Sequence, residues 1–144
     1  MTPHKQLILH DTSNGQFGDC DRTAIACLLD MAPDDVPHWY DGFNGLGQAN
    51  ATALEIRRNW LADRGLFLVS VPYEADAMEQ ILELIAINHP GIHYLIAGMS
   101  PRGVNHVVIC RDRSVVHDPH PTDNGLIGPC DDGYWWVNFL GKIT

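Results

Sequence analysis

Val104-Asn105-His106-Val107-Val108-Ile109-Cys110-Arg111-Asp112-Arg113-Ser114-Val115-Val116-His117-Asp118 is the most informative run of the chain. Two segments rich in β-branched residues, Val104 to Cys110 and Val115 to Asp118, flank the polar turn Arg111 to Ser114. That pattern predicts an antiparallel hairpin. The midpoint of the turn falls near residue 112, with His106 six residues before it and Asp118 six after. Antiparallel pairing then sets the two side chains roughly opposite, within reach of a hydrogen bond.

Working outward, the strand period continues on both sides. His93 to Met99 reads as a strand joined to the hairpin through Ser100-Pro101-Arg102-Gly103, and Tyr134 to Leu140 as another, after a glycine-rich segment ending at Gly133. Further upstream the period becomes helical. Asp76 to Asn88 places Met78, Ile81, Leu82, Ile85 and Ala86 on one side, and Pro90-Gly91 ends it. Leu66 to Val71 is a strand closed by Pro72. Thr52-Ala53-Leu54-Glu55 has the form of a capping box, predicting a helix with Leu54, Trp60 and Leu61 as its apolar face and Gly65 as its stop. Asp41 to Asn50, with three glycines and two asparagines, reads as a surface loop. The first helix starts at Cys20 with Asp19 as N-cap, and Ala24, Ile25, Cys27, Leu28 and Leu29 fall at helical spacing. Helices first and antiparallel strands afterwards predict an α+β fold, with N-terminal helices packed on a C-terminal sheet.

At 144 residues the chain has the length of one domain, and residues 1–144 are read as such. Hydrophobic residues at 45% and charged residues at 19% place it among globular chains and away from disordered ones. The net charge of −9 makes the chain a poor candidate for gripping a phosphate backbone or an anionic membrane, so neither nucleic acid nor membrane is expected as a partner. No apolar run approaches a membrane span, and Met1 to His10 lacks the form of a signal peptide, which predicts a cytoplasmic protein. Oligomeric state is not legible. Cys20, Cys27, Cys110 and Cys130 contain no C-x-x-C pair, which argues against a structural zinc site. His117, Asp118 and His120 are neighbours in a proline-rich turn, a poor arrangement for converging on one ion, so neither a metal nor another cofactor is expected.

Three residues are candidates to carry chemistry. A thiol at a helix start, Cys20, sits among unpaired amides that favour the thiolate. An imidazole, His106, can take and return the proton, and a carboxylate, Asp118, can fix its tautomer. Asp19 and Asp21 flank Cys20 and oppose its ionisation. Cys27 and Cys110 read as core thiols and Cys130 as an exposed bystander in Pro129-Cys130-Asp131-Asp132. Trp135 and Trp136 fall on opposite faces of a strand, one in the core and one partly exposed.

The order Cys at a helix start, His on a strand and Asp on the next strand resembles the papain-like cysteine peptidases. Gly18-Asp19-Cys20 is similar to the local pattern of compact bacterial members, among them the leader-removing peptidase domains of bacteriocin exporters. The chain also resembles, over roughly residues 13–127, a group of small phage and prophage proteins. The resemblance is carried by the Cys-bearing first helix, Trp60-Leu61-Ala62-Asp63-Arg64-Gly65-Leu66, Ser100-Pro101-Arg102-Gly103-Val104-Asn105-His106-Val107-Val108, His117-Asp118-Pro119-His120-Pro121 and Gly125-Leu126. The phage-type resemblance implies no established substrate, whereas the papain-like resemblance implies a papain-like domain and a thiol-dependent hydrolase cleaving an amide or isopeptide bond in a protein or peptide through a Cys20 thioester. Papain-like enzymes place an oxyanion-binding Gln shortly before the nucleophile. Here Gln16 lies four residues ahead of Cys20 and Asn14 six. Gln16 is preferred, together with the Cys20 amide. Asn105 and Arg102 are expected to contact substrate. The same triad would also serve a protein glutamine deamidase or an acyltransferase. An inhibitory binding module on the same scaffold is the reading without catalysis.

Overall fold

The computed structural model describes residues 1–42 and 47–144. The fold is α+β. Its α-helices among the described residues are α1 (Cys20–Leu28), α2 (Gly47–Ala62) and α3 (Met78–Asn88), and its strands are β1 (Leu66–Tyr73), β2 (His93–Met99), β3 (Asn105–Arg111), β4 (Ser114–His117) and β5 (Trp135–Lys142). The sheet order is β1-β5-β2-β3-β4, with antiparallel pairing of β2 with β3, β2 with β5 and β3 with β4. Two compact units divide the chain, Met1–Leu68 with Leu140–Thr144, and Val69–Phe139. None of the described helices is long and apolar enough to cross a membrane.

In the Val69–Phe139 unit the core is one cluster. Ile81, Leu82 and Ile85 of α3 pack with Tyr94 and Ile96 of β2, Val108 and Cys110 of β3, and Trp135 and Val137 of β5. Met78 is half-buried against this cluster, and α3 begins there, two residues later than its sequence pattern suggests. The Gln80 side chain reaches back to the Asp76 amide at 3.0 Å, so Asp76 stands outside the helix as part of its cap.

The Met1–Leu68 unit buries Ala24, Ile25, Ala26 and Cys27 of α1 with Val36, Trp39, Ala53 and Leu61. Cys27 is structural, since its sulfur accepts the His4 amide at 3.2 Å. Asp19 stands at the N-cap of α1 but makes no side-chain cap bond.

Several sequence expectations are corrected. Helix α2 starts at Gly47, so Thr52 and Glu55 lie inside it rather than at its head. The run Gln48-Ala49-Asn50-Ala51 holds no helix breaker, and propagation continues through it. Of the loop expected over residues 41–50, Asp41 and Gly42 form a turn, 43–46 lie outside the described residues, and 47–50 are helical. Leu61 is buried as expected, but Leu54 is 41% exposed and Ala53 is buried in its place. Strand β1 runs through Pro72 to Tyr73; it is an edge strand, where proline is tolerated. Cys130 is buried, not exposed. A tight turn, with the Cys130 amide on the Tyr134 carbonyl at 2.9 Å and the Gly133 amide on the Cys130 carbonyl at 2.9 Å, folds its side chain inward.

Candidate active site

The β3–β4 hairpin closes through the two residues Asp112-Arg113, with Arg111 facing Ser114 and Cys110 facing Val115. Continued unbroken, that register would set Asp118 opposite Val107 and so on the face away from His106, because side chains alternate along a strand. A bulge intervenes. The pairing shifts between Cys110 and Ile109, so that Ile109 faces His117 and Val116 is the extra residue. Asp118 thereby comes level with Val108, on the face His106 shares. The two residues meet diagonally rather than directly opposite, with His106 Nε2 at 2.6 Å from Asp118 Oδ1.

Both groups are buried. Asp118 Oδ1 also accepts the His120 amide at 2.8 Å, and Oδ2 the Gly125 amide at 2.8 Å. Burial alone would raise the Asp118 pKa. The His106 bond, the His106 charge and the two amides outweigh it and hold the carboxyl at about 2. An ionised Asp118 requires hydrogen on His106 Nε2, which leaves Nδ1 as the basic nitrogen of the neutral ring.

The connection before β3 is equally fixed. Ser100 is buried, and its hydroxyl and amide both donate to the Val104 carbonyl, at 2.8 and 2.9 Å. Gly103 sits at φ +81°, a conformation that favours glycine. Gly98, the ladder partner of His106, has no room for a side chain: a Cβ would meet the Gly128 carbonyl oxygen at 2.6 Å and the Trp135 ring at 3.0 Å. Asn105 is exposed and exchanges two hydrogen bonds with Asp131, at 2.9 and 3.0 Å. Arg102 is an exposed residue of the turn.

Cys20, in the other unit, is the first residue of α1 and is half-buried. Its acidic neighbours are each held by a guanidinium. Asp19 is bound by Arg22 at 2.9 Å and accepts the Ile8 amide at 2.9 Å. Asp21 is bound by Arg57 at 3.0 Å and by the Trp39 indole at 2.8 Å. The charge that opposes a Cys20 thiolate is therefore largely offset.

Gln16 and Asn14 lie in the exposed turn of residues 11–16. The Gln16 amide nitrogen donates to the Leu9 carbonyl at 2.6 Å, and that of Asn14 to Asp11 at 2.6 Å. A third carboxamide, Gln6, has a different setting. It is buried, its nitrogen donates to the Ile8 carbonyl at 2.7 Å, and its oxygen has no hydrogen-bond partner among the described residues. The same Ile8 carbonyl accepts the Asp19 amide at 3.1 Å. Gly18 lies so close that a Cβ there would stand 3.3 Å from the Gln6 nitrogen and 2.9 Å from the His10 amide. Counting backwards from Cys20 misses Gln6, because the Asp11–Gln16 bridge closes a small loop and returns the residues before it to Gly18 and Asp19. The available signal was a polar residue leading the apolar run Leu7-Ile8-Leu9.

The remaining thiols are shifted away from reactivity. Burial raises the Cys27 thiol pKa. Burial also pushes Cys110 up to about 12 and, with Asp132 and Asp131 adding to it, Cys130 up to about 12. Comparison of the chain with protein-family models, with curated proteins and with solved structures returns no match in any of the three.

Proposed function

We propose that the chain is a cytoplasmic thiol-dependent hydrolase of papain-like type, acting on an amide or isopeptide carbonyl of a protein or peptide. The observation that carries this reading is the buried His106–Asp118 bond of 2.6 Å, which fixes one imidazole tautomer and frees Nδ1 for proton transfer. In this reading His106 Nδ1 holds the proton of Cys20, and the thiolate attacks the carbonyl carbon. The developing oxyanion is met by the Cys20 amide and, in place of Gln16, by the Gln6 carboxamide, whose second N–H hydrogen is not used by the Ile8 carbonyl. The C–N bond then breaks, His106 delivers its proton to the leaving amine, and a Cys20 thioester remains. Water, deprotonated by His106, attacks the thioester, releasing the acid and restoring the thiol.

The test is site-resolved alkylation of the native protein with iodoacetamide across pH, read by peptide mass spectrometry. A thiol of pKa about 12 is ionised to about one part in a hundred thousand at neutral pH, so Cys110 and Cys130 serve as silent controls. Near pH 6 an ordinary exposed thiol is under about 1% thiolate, so a poised Cys20 should react about a hundredfold faster than such a thiol. His106→Ala should remove that advantage. An inert Cys20, or one that titrates as an ordinary thiol, overturns the reading.

A further inference from the structure

We propose that His120 is a positioning residue for the His106–Asp118 pair, acting through the acceptor that its Nδ1 offers to Thr122. The inference rests on the role given to His106 in the hydrolase reading. The His120 side chain is buried, and the chemistry above does not use it. Its Nδ1 accepts the Thr122 amide at 3.2 Å and lies 2.8 Å from the Thr122 hydroxyl. An accepting Nδ1 carries no hydrogen, so the neutral ring is the Nε2–H tautomer.

At its other end His120 donates its own amide to Asp118 Oδ1, the oxygen that holds His106. The turn from Asp118 to Gly125 is thus braced twice. Asp118 gathers the amides of His120 and Gly125, and the His120 ring gathers Thr122. Asp123 and Gly125 both sit at positive φ, 53° and 65°, so the turn adopts a backbone that its residues do not all favour and that side-chain bonds must hold. The His120 ring stands perpendicular to that of His106, with centroids 6.0 Å apart. Loss of the Thr122 brace would let the His120 amide swing off Asp118 Oδ1. The carboxylate that orients His106 would then lose one of its fixed donors.

The experiment follows the His106 Nε2–H proton in the full-length, isotope-labelled protein by NMR, assigned by its loss in His106→Ala. A short bond to a carboxylate moves this proton far downfield and slows its exchange with water. His120→Ala should speed that exchange by about tenfold, the factor that one hydrogen bond's net worth allows. His120→Asn, whose Oδ1 takes the place of Nδ1 as acceptor, should restore slow exchange. His120→Phe, which keeps a ring but no acceptor, should not. A folded His120→Ala protein with unchanged exchange overturns the proposal, as does restoration by Phe and not by Asn. Should His120→Ala fail to fold, the Asn and Phe variants decide by the same readout. Iodoacetamide reports separately on Cys20, so a parent protein with an inert Cys20 retires the hydrolase reading while the exchange rates still decide on His120.

Discussion

Three carboxylates neighbour Cys20 or His106, and each of the two units treats its own differently. Beside Cys20, Asp19 and Asp21 are each bound to an arginine, a cation that never loses its proton in this setting. In the β3–β4 hairpin, Asp118 is bound to an imidazole and two amides. A carboxylate locked to a guanidinium holds a permanent charge, whereas Asp118 holds a ring with a second nitrogen that can accept a hydrogen bond. The largest expected effect tests this contrast. Asp118→Asn should lower the proposed hydrolysis, and with it Cys20 alkylation, by up to about a thousandfold through loss of the His106 tautomer. Asp21→Asn, which removes a charge opposing the thiolate, should leave the Cys20 alkylation profile within about tenfold. Equal changes in the Cys20 alkylation profile of the two variants would erase the distinction between them.

The next effect is on stability and falls in the other unit. The Asp19 and Arg22 side chains are 0% and 11% exposed, and Arg22 also donates to the Val36 carbonyl at 2.9 Å. Arg22→Met leaves the buried Asp19 carboxylate with the Ile8 amide as its remaining partner among the described residues, which should cost about 3 kcal/mol in chemical denaturation near neutral pH. A loss below about 1 kcal/mol would mean that Asp19 finds water or moves, and that its charge reaches Cys20 after all.

The same contrast explains what was legible in the sequence. His106 and Asp118 were readable because the information is local: two β-branched runs, a polar turn and a symmetric spacing. The reason for their meeting was not. Val115 and Val116 are chemically alike, so nothing marks Val116 as the bulge that turns Asp118 onto the His106 face. Around Cys20 the deciding partners are distant. Asp21 is hydrogen-bonded by Trp39 and charge-paired with Arg57, 18 and 36 residues away, and no local pattern announces either bond. Gln6 was missed for a similar reason, since its burial depends on the chain doubling back through the 11–16 turn. Helix positions were readable from periodicity, whereas the start of α2 and the exposure of Leu54 depended on what lies against each face.

A smaller effect follows from the depressed Asp118 pKa. Its ordinary value is 3.8 and its folded value about 2, so the folded state binds its proton less readily than the unfolded chain. The sign follows from linkage: this stabilisation is complete above the unfolded value and is lost as pH falls through the folded one. The difference amounts to about 2 kcal/mol. Denaturant midpoints measured from about pH 5 down to about pH 2 should show the parent's stability converging toward that of Asp118→Asn by roughly this amount. A constant gap between the two would place the stabilisation in hydrogen bonds indifferent to charge.

The smallest effect concerns Asn105, which precedes His106 in β3. Its two bonds to Asp131 tie the start of the hairpin to the turn that buries Cys130, yet both side chains are exposed, and water replaces them at little cost. Asn105→Ala should therefore cost under about 1 kcal/mol. A double-mutant cycle with Asp131→Ala should return a coupling of about 0.5 kcal/mol or more if the pair is a brace. Zero coupling in stability, joined to a raised KM with kcat unchanged, would instead assign Asn105 to substrate contact. Either result sharpens the contrast with Asp118, because the two residues lie on the two arms at the open end of one hairpin. Burial, rather than position in the sequence, then decides which of them can orient an imidazole and which can only hold a loop.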